Sequence, residues 1–397
     1  MRPGSVARGG TAPPEAPGRL RSLPAYPLAG IPEAKARLLA EGRDVLDLGA
    51  GDPGLPVPDA AVEALRDAAG RPDLQGYGFQ RGLPEFRRAI VDFMRRRYGV
   101  DLDPDGEVLP LIGSKEGLAH LAFGALDPGD TVVIPDPGYA PYFGGPHFAG
   151  AAIERVPLRA DEGFLLPPGS VRSAAGEVRL VYANYPNNPT GATAEIPYVE
   201  ELLAASRERG ATLAWDNAYA EVAFDGYRPP SLVEVDGWAD NGIELHSFSK
   251  SFNMTGWRLG WACGSREAIG RLARVKGYFD TGPYLALQAA GAAVLDDAEP
   301  FLARQVERLG TRRDAAVAAL GGIGLSVPAP RATLYLWIEV PGGETSKAFA
   351  LRLLEEQAVV LLPGSALGAA GEGFVRAALT LPEDRYEEVA SRIARSL

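Results

Sequence analysis

From about residue 60 to 290 the chain alternates short apolar runs with stretches of helical periodicity, and this rhythm limits the possible folds more than any other feature. The runs are VLPLI (108–112), TVVIPD (131–136), AAIERV (151–156), VRLVYANY (178–185), ATLAWD (211–216), IELHSFS (243–249) and RLGWAC (258–263). Most are nearly continuous in apolar character, and a strand apolar on both faces has to be covered on both. Helical patterns such as 115–126 and 197–209 lie between them. Residues 84–98, PEFRRAIVDFMRRRY, open on Pro84, which suits a first helical turn, and place Phe86, Ile90, Phe93 and Arg97 at helical spacing. The expected fold is α/β, a mostly parallel seven-stranded sheet between helices, with ligands at the carboxyl ends of its strands.

After about residue 290 the rhythm changes. A long helical stretch (298–320) precedes ATLYLWIEV (332–340), a helix near 346–356, AVVLLPG (358–364), GFVRAALTL (373–381) and a closing helix. The division expected is a flexible N-terminal arm (1–24), a segment at 25–60 contributing to the small domain, a large ligand-binding domain (61–290) and a smaller α+β domain (291–397).

Bulk properties exclude several functions. A net charge of −11 disfavours binding to nucleic acid or anionic membrane, and no run reaches the roughly 18 apolar residues of a membrane span. The first twenty residues lack the apolar stretch of a signal peptide, so a cytoplasmic protein is expected. One cysteine, Cys263, excludes an internal disulfide, and with His120, His147 and His246 it shows no zinc-ligand spacing, so no metal is expected.

Chemistry-bearing residues collect just past the strand ends. LIGSKEGLAH (111–120) reads as strand, Gly-Ser turn and helix, which aims the N–H groups at Ser114 and Lys115 toward an anion. PDPGYAPY (135–142) sets Tyr139 where its ring can stack on a planar ligand, and NYPNNPTG (184–191) holds Asn188 on a stiff turn. In LAWDNAYAEVAF (213–224), Asp216 ends an apolar strand, where a carboxylate is costly to bury without a cation, and Tyr219 follows. SFSKSFNMTGWRLG (247–260) holds Lys250, one of only five lysines among 40 basic side chains. Arginine stays protonated, whereas a buried lysine can lose its proton and attack a carbonyl. Taken singly, each feature has a plain structural reading: a capped helix, a loop tyrosine on its own turn, a cap aspartate. Together they match one cofactor, pyridoxal phosphate.

The motifs YPNNPTG, WDNAYAEVAF, SFSKSFNMTGWRLG and FVRAAL (374–379) give the chain, from about residue 25 onward, a resemblance to fold-type I pyridoxal-phosphate enzymes of the class I/II aminotransferase family. The resemblance implies that Lys250 is the Schiff-base lysine and proton shuttle. It pairs Asp216 with the ring nitrogen, Tyr219 and Asn188 with the ring oxygen, and Tyr139 with the ring face. It gives the phosphate to Ser114, Lys115, Ser247 and Arg258, with Tyr77 reaching the phosphate of a partner subunit, hence a homodimer. Arg376 matches the arginine that forks onto the substrate carboxylate, and Gly51 a close backbone approach to substrate. Ping-pong exchange of an amino group between an amino acid and a 2-oxo acid follows.

Within that family, IGSKEGLAHLAF, DPGYAPYFGG, AFDGYRPPS and MTGWRLGWACG most resemble LL-diaminopimelate aminotransferases. Lys115 matches a lysine those enzymes use near the distal carboxylate. They typically carry a glutamate three residues after the partner-reaching tyrosine, where this chain has Gln80, and Asp280 is a candidate replacement or a loop cap. The alternatives are a transaminase for a cationic, guanidine-like substrate, or a lyase, decarboxylase or hydroxylase on the same scaffold.

Overall fold

The computed structural model describes residues 16–23, 30–79 and 81–397. Its strands are β1 (Leu46–Asp47), β2 (Val108–Leu111), β3 (Thr131–Asp136), β4 (Ala152–Pro157), β5 (Val178–Asn184), β6 (Thr212–Asp216), β7 (Gly242–Ser247), β8 (Gly260–Gly264), β9 (Tyr335–Glu339), β10 (Val359–Val360), β11 (Leu362–Pro363) and β12 (Phe374–Ala378). Seven of them form one sheet in the order β2-β8-β7-β6-β5-β3-β4, in which only β8 runs against its neighbours. Every residue of β2, β3, β6, β7 and β8 is buried, which explains their unbroken apolar runs. β4, at the edge, exposes Glu154 and Arg155, charges that discourage pairing with another chain.

The helix Pro84–Tyr98 places Pro84 in its first turn and ends at Gly99, whose φ of 70° closes it in the left-handed conformation. Phe86, Ile90 and Phe93 are buried together under β8, and Arg97 turns to the buried Glu221 at 2.5 Å. Helices Ser114–Ala125 and Arg266–Phe279 pack on the opposite face, around Leu118, Leu121, Ile269 and Leu272.

The smaller sheet, β11-β12-β9, is antiparallel, and β1 pairs in parallel with β10. The N-terminal segment therefore meets the C-terminal part of the chain. The helix Glu299–Gly322, about 36 Å long at 1.5 Å per residue, presents Leu302 to the core under β8 and Leu309, Ala316 and Leu320 to the core of the smaller sheet. Of the N-terminal arm, residues 16–23 are described. They include the short helix Gly18–Arg21, and Arg19 Nη1 donates to Phe148 O at 3.0 Å, so this portion is fastened to the body of the protein. No described helix is long and apolar enough to cross a membrane.

Candidate active site

Strands β2, β3, β5, β6 and β7 end along one edge of the large sheet, and β8, running the other way, begins there. Asp216 is the last residue of β6 and is 3% exposed. Tyr142 Oη donates to its Oδ2 at 2.6 Å, while Oδ1 is buried with no hydrogen-bond partner among the described residues. Burial pushes this carboxyl up from 3.8 to about 6, against the lowering pull of the Tyr142 hydroxyl. An unpaired buried carboxylate oxygen is expensive, so the site suits a cationic donor, which no described residue offers to Oδ1.

Tyr219 lies on the turn after β6, its Oη 3.0 Å from Tyr335 Oη on β9. Asn184, closing β5, donates through Nδ2 to Asp216 O at 2.7 Å and accepts from the Asn188 N–H at 2.8 Å, which ties the turn carrying Asn188 to the end of β6. Asn188 Oδ1 in turn accepts from Arg376 Nη1 at 2.9 Å, and Arg376 Nη2 donates to Gly49 O at 2.8 Å. The guanidinium lies 4.1 Å over the Tyr335 ring, and its Nε is buried without a partner among the described residues.

The connection from β7 to β8 carries the anion side. Ser247 caps the short helix Phe248–Ser251, its Oγ accepting from the Ser249 N–H. Lys250, on that helix, donates to Gly51 O. Arg258 adopts the left-handed conformation (φ 54°, ψ 54°) just before β8, with Nη1 donating to Thr255 O at 2.8 Å. Its guanidinium faces the turn before helix Ser114–Ala125. A Cβ at Gly113, where φ is +73°, would come within 2.6 Å of Arg258 Nη2, so only glycine fits there. No side chain caps that helix, so its first turn, the serine hydroxyls and the arginine make a place for a phosphate-sized anion.

Of the ten residues expected to bind the cofactor, all but Tyr77 line a single cavity of about 100 Å³. Gly51 and Arg376 stand beside it, joined through Lys250 and Asn188. Tyr77 is 72% exposed, its ring 5.9 Å from that of the exposed Phe79, and it takes no part in this cavity. Gln80 lies outside the described residues. Asp280 Oδ1 accepts from Lys276 Nζ at 2.9 Å and from the Gly282 N–H at 2.7 Å, the loop cap that the sequence allowed.

Three residues escaped the sequence reading. Tyr142 lies three residues beyond Tyr139, a helical spacing that could have marked it as a neighbour. Tyr335 reads locally as one more aromatic in a core strand, and Asn184 as the polar end of β5. Glu244 and His246 sit two residues apart on one face of β7, and the antiparallel pairing sets Cys263 of β8 opposite Glu244, so ligand atoms of the three lie within 4.8 Å of one another; the approach of Cys263 is invisible in linear spacing. Glu244 there is engaged by the Ser231 hydroxyl, the Leu232 N–H and Asn217.

The sequence pattern of the family described as aminotransferase class I and II matches residues 43–393. LL-diaminopimelate aminotransferase of Desulforudis audaxviator is 44% identical over 376 residues, covering 94% of this chain and 96% of that protein. Among solved structures, substrate-bound BacF of Bacillus subtilis superposes with a TM-score of 0.91 at 33% identity, over 96% of this chain and 98% of that one. A probable N-succinyldiaminopimelate aminotransferase of Thermus thermophilus does so at 0.86 and 38% identity, over 92% and 99%.

Proposed function

This chain belongs to the aminotransferase class I and II family and is a pyridoxal-phosphate-dependent enzyme acting on an amino acid and a 2-oxo acid, and we propose that its amino donor carries a second amino-acid head, as LL-diaminopimelate does, with 2-oxoglutarate as acceptor. The residues present suit the cofactor. The partnerless Asp216 Oδ1 calls for a ring N–H⁺, and Arg258, Ser247 and the helix at Ser114 call for a phosphate. Bound there, pyridoxal phosphate supplies an electron sink for the charge left when the donor's Cα–H bond breaks.

The chain's own groups do the rest. Lys250 anchors the cofactor through its amine, takes the Cα proton and returns a proton to C4′. Asp216, with one oxygen held by Tyr142, keeps the ring nitrogen protonated. Tyr219 and Asn188 donate to the ring oxygen, and Tyr139 covers the ring face. Ser114, Lys115, Ser247 and Arg258 hold the phosphate, with Tyr77 offered to the phosphate site of a second copy in a homodimer. Arg376 forks onto the α-carboxylate, and Gly51 lets substrate come close to the backbone.

The position of Lys115 carries the donor assignment. It lines both the small cavity and an adjoining space of about 820 Å³, so a carboxylate remote from the reacting carbon would meet its ammonium on leaving the first for the second. The test is the visible absorption of the reconstituted protein mixed with LL-diaminopimelate, glutamate, aspartate or arginine, followed by 2-oxoglutarate. LL-diaminopimelate is expected to convert the cofactor with kcat/KM at least about tenfold above glutamate. Glutamate or arginine reacting faster would overturn the donor assignment.

Arg376→Lys retains the charge but loses the fork. It is expected to lower kcat/KM for the donor about 100-fold, with the absorption of the bound cofactor unchanged, by steady-state kinetics and a spectrum on the same sample.

A further inference from the structure

Tyr335 has no role in the chemistry described so far, yet it borders three of the groups assigned to it. It opens β9 and is 2% exposed. Its Oη lies 3.0 Å from Tyr219 Oη, and Arg376 lies 4.1 Å over its ring. A Cβ built on Gly51 would sit 2.6 Å from Tyr335 Oη and 3.7 Å from Lys250 Nζ, so phenol and amine border the same methyl-sized space.

Resting on the assignment of Tyr219 to the cofactor ring oxygen, we propose that Tyr335 is a positioning residue whose hydroxyl donates to Tyr219 Oη and so turns the Tyr219 proton toward that ring oxygen. Each hydroxyl has one proton to give. Whichever tyrosine donates within the pair leaves the other free to donate outward, so the direction of this bond decides whether Tyr219 can serve the cofactor.

The surroundings set that direction. Burial opposes ionisation of Tyr335, but the charges of Arg376 and Lys250 and the bond to Tyr219 hold its phenol below the ordinary 10. Burial drives Tyr219 well above it, with Tyr335 adding to the rise. The stronger acid is the better donor, and a hydroxyl that accepts a bond donates its own more strongly. Tyr335 thus links the strand pair β9–β12, which carries Arg376, to the ring-oxygen donor on the other side of the site.

Tyr335→Phe removes the hydroxyl and keeps the ring beneath Arg376. In the enzyme reconstituted with pyridoxal phosphate, the pH midpoint of the visible absorption reports the proton held between the Lys250 nitrogen and the ring oxygen. A weaker Tyr219 donor leaves that proton more tightly bound, so the midpoint is expected to rise by about half a pH unit, the equivalent of one weakened hydrogen bond. kcat is expected to fall roughly tenfold with KM for the donor within about twofold, because the fork is untouched. In a Tyr219→Phe background the same change is expected to move the midpoint no further. An unmoved midpoint in the single variant, or an equal further shift in the double variant, would overturn the proposal. A second readout needs no cofactor: ultraviolet titration of the cofactor-free protein is expected to lose its earliest-ionising buried tyrosine in Tyr335→Phe, and retention of that step would count against the assigned direction. If the unmodified protein with pyridoxal phosphate develops no visible band, what fails is the cofactor site itself, a result distinct from either of these.

Discussion

Lys250→Ala is expected to abolish amino transfer, with kcat falling by at least about 10⁴-fold, because in the proposed roles one substitution removes both the attachment of the cofactor and the base that moves the Cα proton. Lys115, the other lysine lining the cavity, is no substitute: its ammonium is placed over the Tyr139 ring, 6.0 Å from the centroid. Lys250→Arg should lose as much, since a guanidinium keeps the charge but cannot shed its proton. Folding should change little, because Lys250 is only partly buried and, among the described residues, its ammonium bonds one carbonyl, Gly51 O. Single-turnover mixing with donor, read by absorption, checks the claim. Residual turnover above about 1% in both variants would contradict the assigned role.

Asp216→Asn separates catalysis from stability. In the proposed pairing a neutral amide would no longer keep the ring nitrogen protonated, and kcat is expected to fall about 10³-fold, roughly 4 kcal/mol of barrier. The cofactor-free protein should respond in the opposite sense. The carboxyl holds its proton to about 6 when folded against 3.8 in the open chain. The folded state therefore binds the extra proton between those values, and stability falls as pH rises through that interval. Above about pH 6 the penalty is complete, on the order of 3 kcal/mol, and asparagine escapes it. Thermal melts of the two cofactor-free proteins should coincide near pH 4 and separate by pH 8, with the variant the more stable. Cofactor binding should narrow the gap, since a ring N–H⁺ stabilises the carboxylate that water no longer can.

The large sheet is legible because most of its strands, β4 at the edge excepted, are buried on both faces: TVVIPD at 131–136 and the helix at 84–98 carry their limits in their own residues. Errors fall where a distant partner or the site itself dictates the backbone. AVVLLPG reads as one strand but divides at Leu361 into β10, paired with β1, and β11, paired with β12, a choice made by segments more than three hundred and about a dozen residues away. RLGWAC was expected to begin at Arg258, whose left-handed turn instead delays β8 to Gly260 and aims the guanidinium at Gly113. IELHSFS was expected to run to 249, yet Ser247 caps a helical turn two residues earlier. The candidate site was legible as a set because each motif sits on a strand end. Tyr335 was not, because its role depends on β9 approaching β6 from another sheet.

Arg376 is immobilised before any substrate arrives, by the Asn188 amide oxygen, the Gly49 carbonyl and the Tyr335 ring. An arginine on an open surface surrenders up to about 2 kcal/mol of rotamer freedom when it grips a carboxylate. Here that disorder is already gone on folding, so more of the salt link's strength reaches the complex. The same rigidity turns the guanidinium into a discriminator: a simple amine, lacking the carboxylate, would leave unanswered a buried Nε donor that has no partner among the described residues.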